Sequence, residues 1–226
     1  MSSKEEIRSR HRLRRAALSQ AELADAGAAI ARHGLAWAVG LASGPASGLA
    51  DTGQRTFAAY LGVGSEPPTL PLLAALHDAG HRVLLPVCEP DLVLSWVYWT
   101  PASEFVRSRY APIQEPAGER FGTAEVRGAA GIILPATALD RSGNRIGQGG
   151  GYYDKFLAAL AALPPGGTGT TEGPVPTAAV VYDAEVLPAG SIPAESFDRR
   201  VDFALAPGGL VRLSGLSGPS EPAPGG

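Results

Sequence analysis

Residues 129–156 read AAGIILPATALDRSGNRIGQGGGYYDKF, and three kinds of segment follow one another within them. AAGIILP is a short, unbroken apolar run, the pattern of a strand buried on both faces. YYDKFLAALAAL, from about residue 151, reads as a helix. Between them the spacing predicts a loop over 135–150, and four of the five residues 147–151 are glycine. Glycine is costly to order, so this density points to something that must come close to the backbone. A strand, a glycine loop and a helix in that order present amides at a helix N-terminus, where free N–H groups and the helix dipole bind phosphate. A tight turn, or hard packing of the helix on the sheet, would also use these glycines. No Gly-Lys-Ser/Thr closes the loop, so it is not a Walker loop. Nor is it a dinucleotide fingerprint, because Gly147, Gly149 and Gly150 crowd together and Tyr152 stands where the third glycine belongs.

The neighbours of the loop carry chemistry. Arg145 precedes the glycines and has the planar fork that takes a phosphate bidentately. Asp154 falls in the first helical turn, where it complements the dipole and where a carboxylate could hold Mg2+ bridging phosphates. Tyr152 and Tyr153 suit either stacking on a planar ligand or core packing, and one inward with one at the site is expected.

Working outward, strands alternate with helices. SSKEEIRSRHRLRRAAL reads as a helix with a Ser3–Glu6 capping box, and Lys4, Arg8 and Arg12 recur along one face at i, i+4, i+8. SQAELADAGAAIARHG reads as a second helix with a Ser19–Glu22 box and Gly34 as its stop, and LAWAVGL as helix or strand. RTFAAYLG, HRVLLPV, DLVLSWVYW and TAAVVY read as strands, and TLPLLAALHDAG as a helix capped by Thr69. VDFALAPGGLVRL gives a last strand or pair. The segment 101–120 reads mostly as loop, and PPGGTGTTEGPVP as a mobile insertion. This pattern predicts an α/β fold, one domain with a mostly parallel sheet and helices on both faces. The domain is expected to span 1–212, with 213–226 an unfolded tail.

Bulk composition narrows the function. The 226 residues, 45% of them hydrophobic, suit one domain with an ample core. A net charge of −3 gives no general attraction to nucleic acid or anionic membrane, although six of the 19 Lys and Arg fall in the first 15 residues. That cationic helix is either a solvated face or a surface that meets an anion. No apolar run reaches the ~20 residues that span a bilayer, and the basic start is not a secretory signal. Cys88 is the only cysteine, so there is no internal disulfide and no zinc site with two thiolates. His11, His33, His77 and His81 form no metal-spaced pair and read as surface or helix-end residues. A cytoplasmic protein, monomeric or weakly dimeric, is expected.

LPATALDRSGNRIGQGGGYYDKFL resembles the signature region of the 5-formyltetrahydrofolate cyclo-ligase (methenyltetrahydrofolate synthetase) family. KEEIR near the N-terminus, YLGVGSEPPTLPLLAALHDAGHRVLLPV and IPAESFDRRVDFAL are similar to three further family segments in the same order, so the resemblance covers most of residues 4–205. It implies a single-domain, Rossmann-like sheet and an ATP- and Mg2+-dependent ring closure. The formyl oxygen of 5-formyltetrahydrofolate takes the γ-phosphoryl group, nitrogen 10 attacks, phosphate leaves, and 5,10-methenyltetrahydrofolate and ADP result. Carried over residue by residue, it implies that Lys4, Arg8 and Arg145 serve the phosphates and the reacting formyl group. Gly147, Gln148, Gly149, Gly150, Gly151, Tyr152, Tyr153 and Asp154 line the nucleotide, Asp154 and Asp198 hold Mg2+, and Glu66 pairs with the pterin. Arg8 and Tyr152 also meet folate, and Trp96 and Trp99 are candidates for the folate wall, with strand packing the expectation for at least one of them. The anion for the cationic helix would then be ATP rather than nucleic acid. Phe197 stands where the family often has His. A divergent member that binds nucleotide or folate without this reaction is the alternative.

Overall fold

The computed structural model describes residues 3–42, 54–164, 173–195 and 198–213. In chain order the elements are α1 (Lys4–Ala16), α2 (Gln20–Ala42), β1 (Thr56–Ala58), α3 (Leu70–Asp78), β2 (Arg82–Glu89), β3 (Val93–Trp99), β4 (Phe105–Arg107) and β5 (Gln114–Pro116). There follow α4 (Thr123–Arg127), β6 (Gly131–Pro135), β7 (Ala138–Asp140), β8 (Arg145–Ile146), α5 (Tyr152–Ala162), β9 (Thr177–Val180), β10 (Val186–Leu187), β11 (Phe203–Ala206) and β12 (Gly209–Arg212).

Seven strands form one sheet in the order β12-β11-β9-β6-β1-β2-β3. The five from β11 to β2 run parallel, and an antiparallel strand closes each edge. The fold is therefore the expected α/β architecture, and VDFALAPGGLVRL is a hairpin. Side chains alternate along β2: Val83 and Leu85 join a core layer beneath α2 and α3, while Leu84 joins the layer beneath α4 and α5. Trp96 and Trp99, three apart on β3, enter opposite layers. Trp96 packs on Phe156 at 4.9 Å between ring centroids and Trp99 meets His77. Both are core residues and neither walls a ligand cleft.

Both capping boxes form at the helix starts. Gly34, however, does not stop α2, which continues through LAWAVGL. A Cβ there would lie 2.7 Å from Leu72 Cδ1 and 3.1 Å from Leu205 Cδ2, so the missing side chain lets α2 lie close to α3 and the sheet. Thr69 precedes α3 without capping it. Its hydroxyl instead donates to the Tyr60 carbonyl at 2.6 Å and accepts from Gly62 N–H at 2.8 Å. The segment after β3 contains the short β4–β5 pair.

The expected loop over 135–150 is also a built element. β7 and β8 pair antiparallel, and β10 adds parallel to β7. Asp140 makes this possible. Its carboxylate, fully buried, accepts from the N–H groups of Ser142, Asn144 and Ile192 and from the Asn144 side chain. Gly143 turns the chain at φ 87°, where a Cβ would lie 2.8 Å from the Val201 carbonyl. Leu213, placed with the tail in the sequence reading, is buried and its N–H bonds Asp202. The rest of the tail, most of the insertion after Pro164 and Phe197 lie outside the described residues.

α1 docks on this small sheet through Ile7, packed with Ala138, Ile146 and Ile192. Four and eight residues on, His11 and Arg15 are buried on the same stripe. Arg15 forms a two-pronged ion pair with Glu185: Nε donates to Oε1 at 2.7 Å and one terminal nitrogen to Oε2 at 2.8 Å. That nitrogen also donates to the Ala136 carbonyl at 2.8 Å. His11 is 1% exposed rather than a surface residue, and neither ring nitrogen has a hydrogen-bond partner.

Two outcomes test this docking. Glu185→Ala strands a buried guanidinium and is expected to cost roughly 3–5 kcal/mol in urea denaturation. Arg15→Met with Glu185→Leu should recover most of that. His11 is held neutral to about pH 4 by burial and by Arg10, Arg14 and Arg15. Between its ordinary value of 6.5 and about 4, the unfolded chain takes up a proton that the folded chain does not. Stability therefore falls as pH drops through that window, by on the order of 3 kcal/mol from this group. Denaturation of His11→Gln at pH 7, 5 and 4 should show a correspondingly flatter acid limb.

Candidate active site

The carboxyl ends of β1, β6 and β9 lie at one end of the parallel sheet, the position where open α/β folds bind ligands. Three routes bring functional side chains there. The chain leaving β1 carries Glu66. The β7–β8 hairpin beyond β6 delivers Arg145 and the glycine loop. α1, docked on that hairpin, brings Lys4 and Arg8.

Arg145 is the anchor. It is 6% exposed, and a terminal nitrogen donates to Asp154 Oδ1 at 2.7 Å. Its Nε is buried without a partner. Burial lowers the pKa of the guanidinium, opposed by the charges of Asp154 and Asp198. Leaving a buried guanidinium N–H unmatched costs free energy that an anion could recover.

After Arg145 the chain turns through Gly149 at φ 99° and Gly151 at φ 75°, left-handed conformations that favour glycine. Gly151 opens α5, and no side chain caps it. The N–H groups at the head of α5 are thus left for an anion. Arg8 reaches the loop from α1, its Nε donating to the Gly147 carbonyl at 2.9 Å. Gln148 extends the loop toward Glu66, with its amide nitrogen at 3.5 Å from Oε1. Gly150 and Gly151 are exposed.

Lys4 lies on the same side. Its ammonium donates to Asp198 Oδ2 at 2.8 Å and stands 3.4 Å from Glu195 Oε1. Burial alone would lower the pKa of Lys4, but the two carboxylates outweigh it and the net shift is upward. Burial likewise works against the ionised Asp198, yet Lys4 and the Glu195 N–H hold it below the usual carboxylate range. Asp198 and Arg145 each feel the other's charge, so the two pairs form one electrostatic cluster.

Glu66 occupies the turn after β1. Its Oε2 accepts from Val63 N–H at 3.1 Å. Burial raises the pKa of this carboxyl, against the pull of Val63 and Gln148. The hydroxyls of Tyr60 and Tyr153 are both buried without partners, and both have Glu66 as a charged neighbour. Tyr153 turns its ring edge to Phe156 and is the inward tyrosine. Tyr152 lies half-buried near the rim, its hydroxyl 3.5 Å from the Glu89 carbonyl. Leu92, at the tip of the β2–β3 hairpin, approaches the Gly151 position to within 3.4 Å of where a Cβ would stand.

The structure thus brings Lys4, Arg8, Glu66, Arg145, Gly147–Gly151, Asp154 and Asp198 to one region. It leaves Trp96 and Trp99 in the core. Sequence reasoning missed Arg15, Glu185 and Tyr60. For Arg15 a signal existed: Ile7, His11 and Arg15 repeat every fourth residue, marking the buried stripe of α1. Glu185 and Tyr60 have no local signature.

The acids expected to hold Mg2+ are Asp154 and Asp198. Among the described residues no group of three His, Cys, Asp or Glu forms a metal cage. Mg2+ at phosphates needs only one or two carboxylates beside water and phosphate oxygens. Asp154 meets Arg145 and Arg199 N–H through Oδ1 alone, and Asp198 meets Lys4 and Glu195 N–H through Oδ2 alone. One oxygen of each acid therefore takes no part in these bonds.

Comparison with known proteins identifies the family. The profile of the 5-formyltetrahydrofolate cyclo-ligase family matches residues 1–207. A 5-formyltetrahydrofolate cyclo-ligase of Mycolicibacterium smegmatis is 40% identical over 177 residues, covering 74% of this chain and 81% of the relative. That of Escherichia coli K12 is 36% identical over 105 residues, 46% of this chain and 57% of its own length. Among solved structures, the 5,10-methenyltetrahydrofolate synthetase of Aquifex aeolicus superposes with a TM-score of 0.64 at 22% identity, over 97% of each chain. That of Mycoplasma pneumoniae gives 0.63 at 16% identity, over 90% of this chain and 98% of the other.

The loop geometry separates its glycines. Gly151→Ala forces a side chain into a left-handed conformation, at an expected cost of about 1–2 kcal/mol. Gly147→Ala meets nothing nearer than 4.0 Å and should change stability by less than about 0.5 kcal/mol. Paired urea melts check the contrast.

Proposed function

The chain belongs to the 5-formyltetrahydrofolate cyclo-ligase family, and from that premise we propose how it performs the ring closure, with ATP as co-substrate and Mg2+ as the assisting ion. One observation carries the reading. Arg8 of α1 and a buried, incompletely bonded Arg145 meet at the glycine loop and uncapped head of α5, with the Lys4–Asp198 pair electrostatically linked to Arg145. Such a concentration of positive charge and free amides suits a polyphosphate.

In this reading the formyl oxygen of 5-formyltetrahydrofolate attacks the γ-phosphorus of ATP, and ADP leaves. Nitrogen 10 of the same folate then attacks the activated formyl carbon. The C–O bond breaks, phosphate departs with the oxygen, and nitrogen 10 gives up its proton. The product is 5,10-methenyltetrahydrofolate. The protein's part is positioning and charge neutralisation, the main requirements of phosphoryl transfer. Arg145 and the amides of Gly147–Gly151 hold the phosphates against the head of α5, with Gln148, Tyr152 and Tyr153 beside the nucleotide. Lys4 and Arg8 offset the charge that builds as the phosphoryl group moves. Bound at Asp154 and Asp198, Mg2+ would supply further neutralisation of the phosphate oxygens. Glu66 accepts from the amino and N–H donors of the pterin, and Tyr152 lies against folate.

The partners in this reading are small molecules handled in the cytoplasm by a monomer or weak homodimer. No described helix is long and apolar enough to cross a membrane.

Purified protein with 5-formyltetrahydrofolate, ATP and Mg2+ should develop the methenyl-folate absorbance band, matched by ADP release, and should not do so without ATP. Lys4→Ala, Arg145→Ala and Asp154→Ala should each lower kcat by about 10²-fold or more while the chain stays folded. Glu66→Ala should raise the folate KM before it changes the KM for ATP. A band that forms equally well without ATP would overturn the phosphorylation step, and an unchanged folate KM would remove Glu66 from the pterin.

A further inference from the structure

A cleft lies on the other flank of α1 from the glycine loop. At 100° per residue, Lys4 and Arg8 occupy one side of the buried Ile7–His11 stripe, and Arg10 and Arg14 the other. Arg10, Arg14 and His11 line a cleft of about 580 Å³ against the segment that follows β10. Acids on or against α1 are engaged elsewhere: Glu5 with Arg8 and Arg12, Glu6 with the Ser3 N–H in the capping box, and Glu185 with Arg15. Among the described residues neither Arg10 nor Arg14 forms a salt bridge. His11 is 1% exposed and both its ring nitrogens lack partners; the nearest carboxylate oxygen, on Glu185, stands 3.9 Å away and is held by Arg15. A buried imidazole with two unmatched nitrogens, flanked by two unpaired guanidinium groups, is not accounted for by packing.

We propose that this cleft is a second anion site, taking a phosphate group either free or carried on an organic body. Two arginine forks supply donors from two places on the cleft wall, with the His11 imidazole buried behind them, which suits a tetrahedral oxyanion better than a two-oxygen carboxylate. Ser191 is also in the lining. Ile7, Leu187 and Pro188 form an apolar wall, and the volume exceeds what a bare phosphate fills, so there is room for a carbon skeleton beside it. The site is separate from the glycine loop, because the helix itself stands between them, and it does not rest on the reaction proposed above.

His11 also provides the readout. The charged groups facing it are Arg10, Arg14 and Arg15, which hold its proton off, and the Glu185 carboxylate; residues 187–191 carry no titratable side chain. A bound dianion would offset the arginines and let His11 take a proton, so the pKa of His11 should rise from about 4 on binding.

The experiment is imidazole nitrogen NMR of the full chain labelled at histidine, with His11→Gln assigning the signal. Inorganic phosphate and phenyl phosphate are titrated separately at constant ionic strength against chloride. The His11 signal should move saturably and its pKa should rise. Arg10→Gln with Arg14→Gln should weaken the response at least tenfold while leaving ring-closure kcat within twofold. Lys4→Ala should leave the response intact. Tighter binding of phenyl phosphate would identify an organic phosphate as the occupant, and equal binding would identify the free ion. Either supports the site. No saturable shift, an undiminished shift in the double variant, or loss of the shift in Lys4→Ala would overturn it.

Discussion

The buried ion pair between Arg15 and Glu185 is the contact on which the site depends. Burying two charges is expensive, and the pair holds because each group finds several partners. Glu185 accepts from both prongs of Arg15 and also from Tyr182 N–H, and Arg15 reaches the Ala136 carbonyl. Ala136 follows β6, and Glu185 lies in the turn beyond β9. One guanidinium therefore ties α1 to the exits of two adjacent parallel strands. Lys4 and Arg8 lie two to three helical turns ahead of it on the same helix, and their approach to Asp198 and Gly147 follows from that docking.

The same logic explains why the glycine loop needs so much structure behind it. A loop of flexible residues would lose its order to entropy, and phosphate chemistry asks for fixed donors. The Asp140 carboxylate takes four donors from two chain segments, and this converts the stretch before the loop into a hairpin joined to residue 192. Of the last few residues, from Gly147 to Gly151, all but Gln148 lack a side chain. Rigidity is placed up to Arg145 and Ile146 and again from Tyr152, and openness between them.

Much of this was legible in the sequence, for physical reasons that differ by element. The capping boxes at Ser3 and Ser19 are local, involving residues three apart, and both formed. The apolar runs that became β2, β6 and β9 carry their burial in their own composition. Gly34 misled because a glycine near a helix end signals a stop only if the chain bends there. Here it is spent on close approach to Leu72 and Leu205, which the sequence places 38 and 171 positions away. The β7–β8 hairpin was hidden for a similar reason, since one of its four bonds to Asp140 comes from Ile192. Trp96 and Trp99 looked like a ligand wall because aromatic residues suit both tasks, and the strand's two-residue period sends them to opposite layers.

Arg15 is the instructive omission. In a segment with so many cations, charge alone cannot say which arginine is buried, because burial reverses the usual preference for water and needs a distant partner to do so. The pattern was present in its neighbours: Ile7 marks the inward stripe of α1, and every fourth residue after it, His11 and then Arg15, must share that stripe. A helix face defined by one apolar residue and extended by geometry thus identifies polar residues that are buried. Each such residue must then be either matched or poised to be matched. Arg15 is matched by Glu185, and His11, one turn earlier on the same stripe, is not. That difference between two neighbours on one helix separates a structural contact from a group still able to bind.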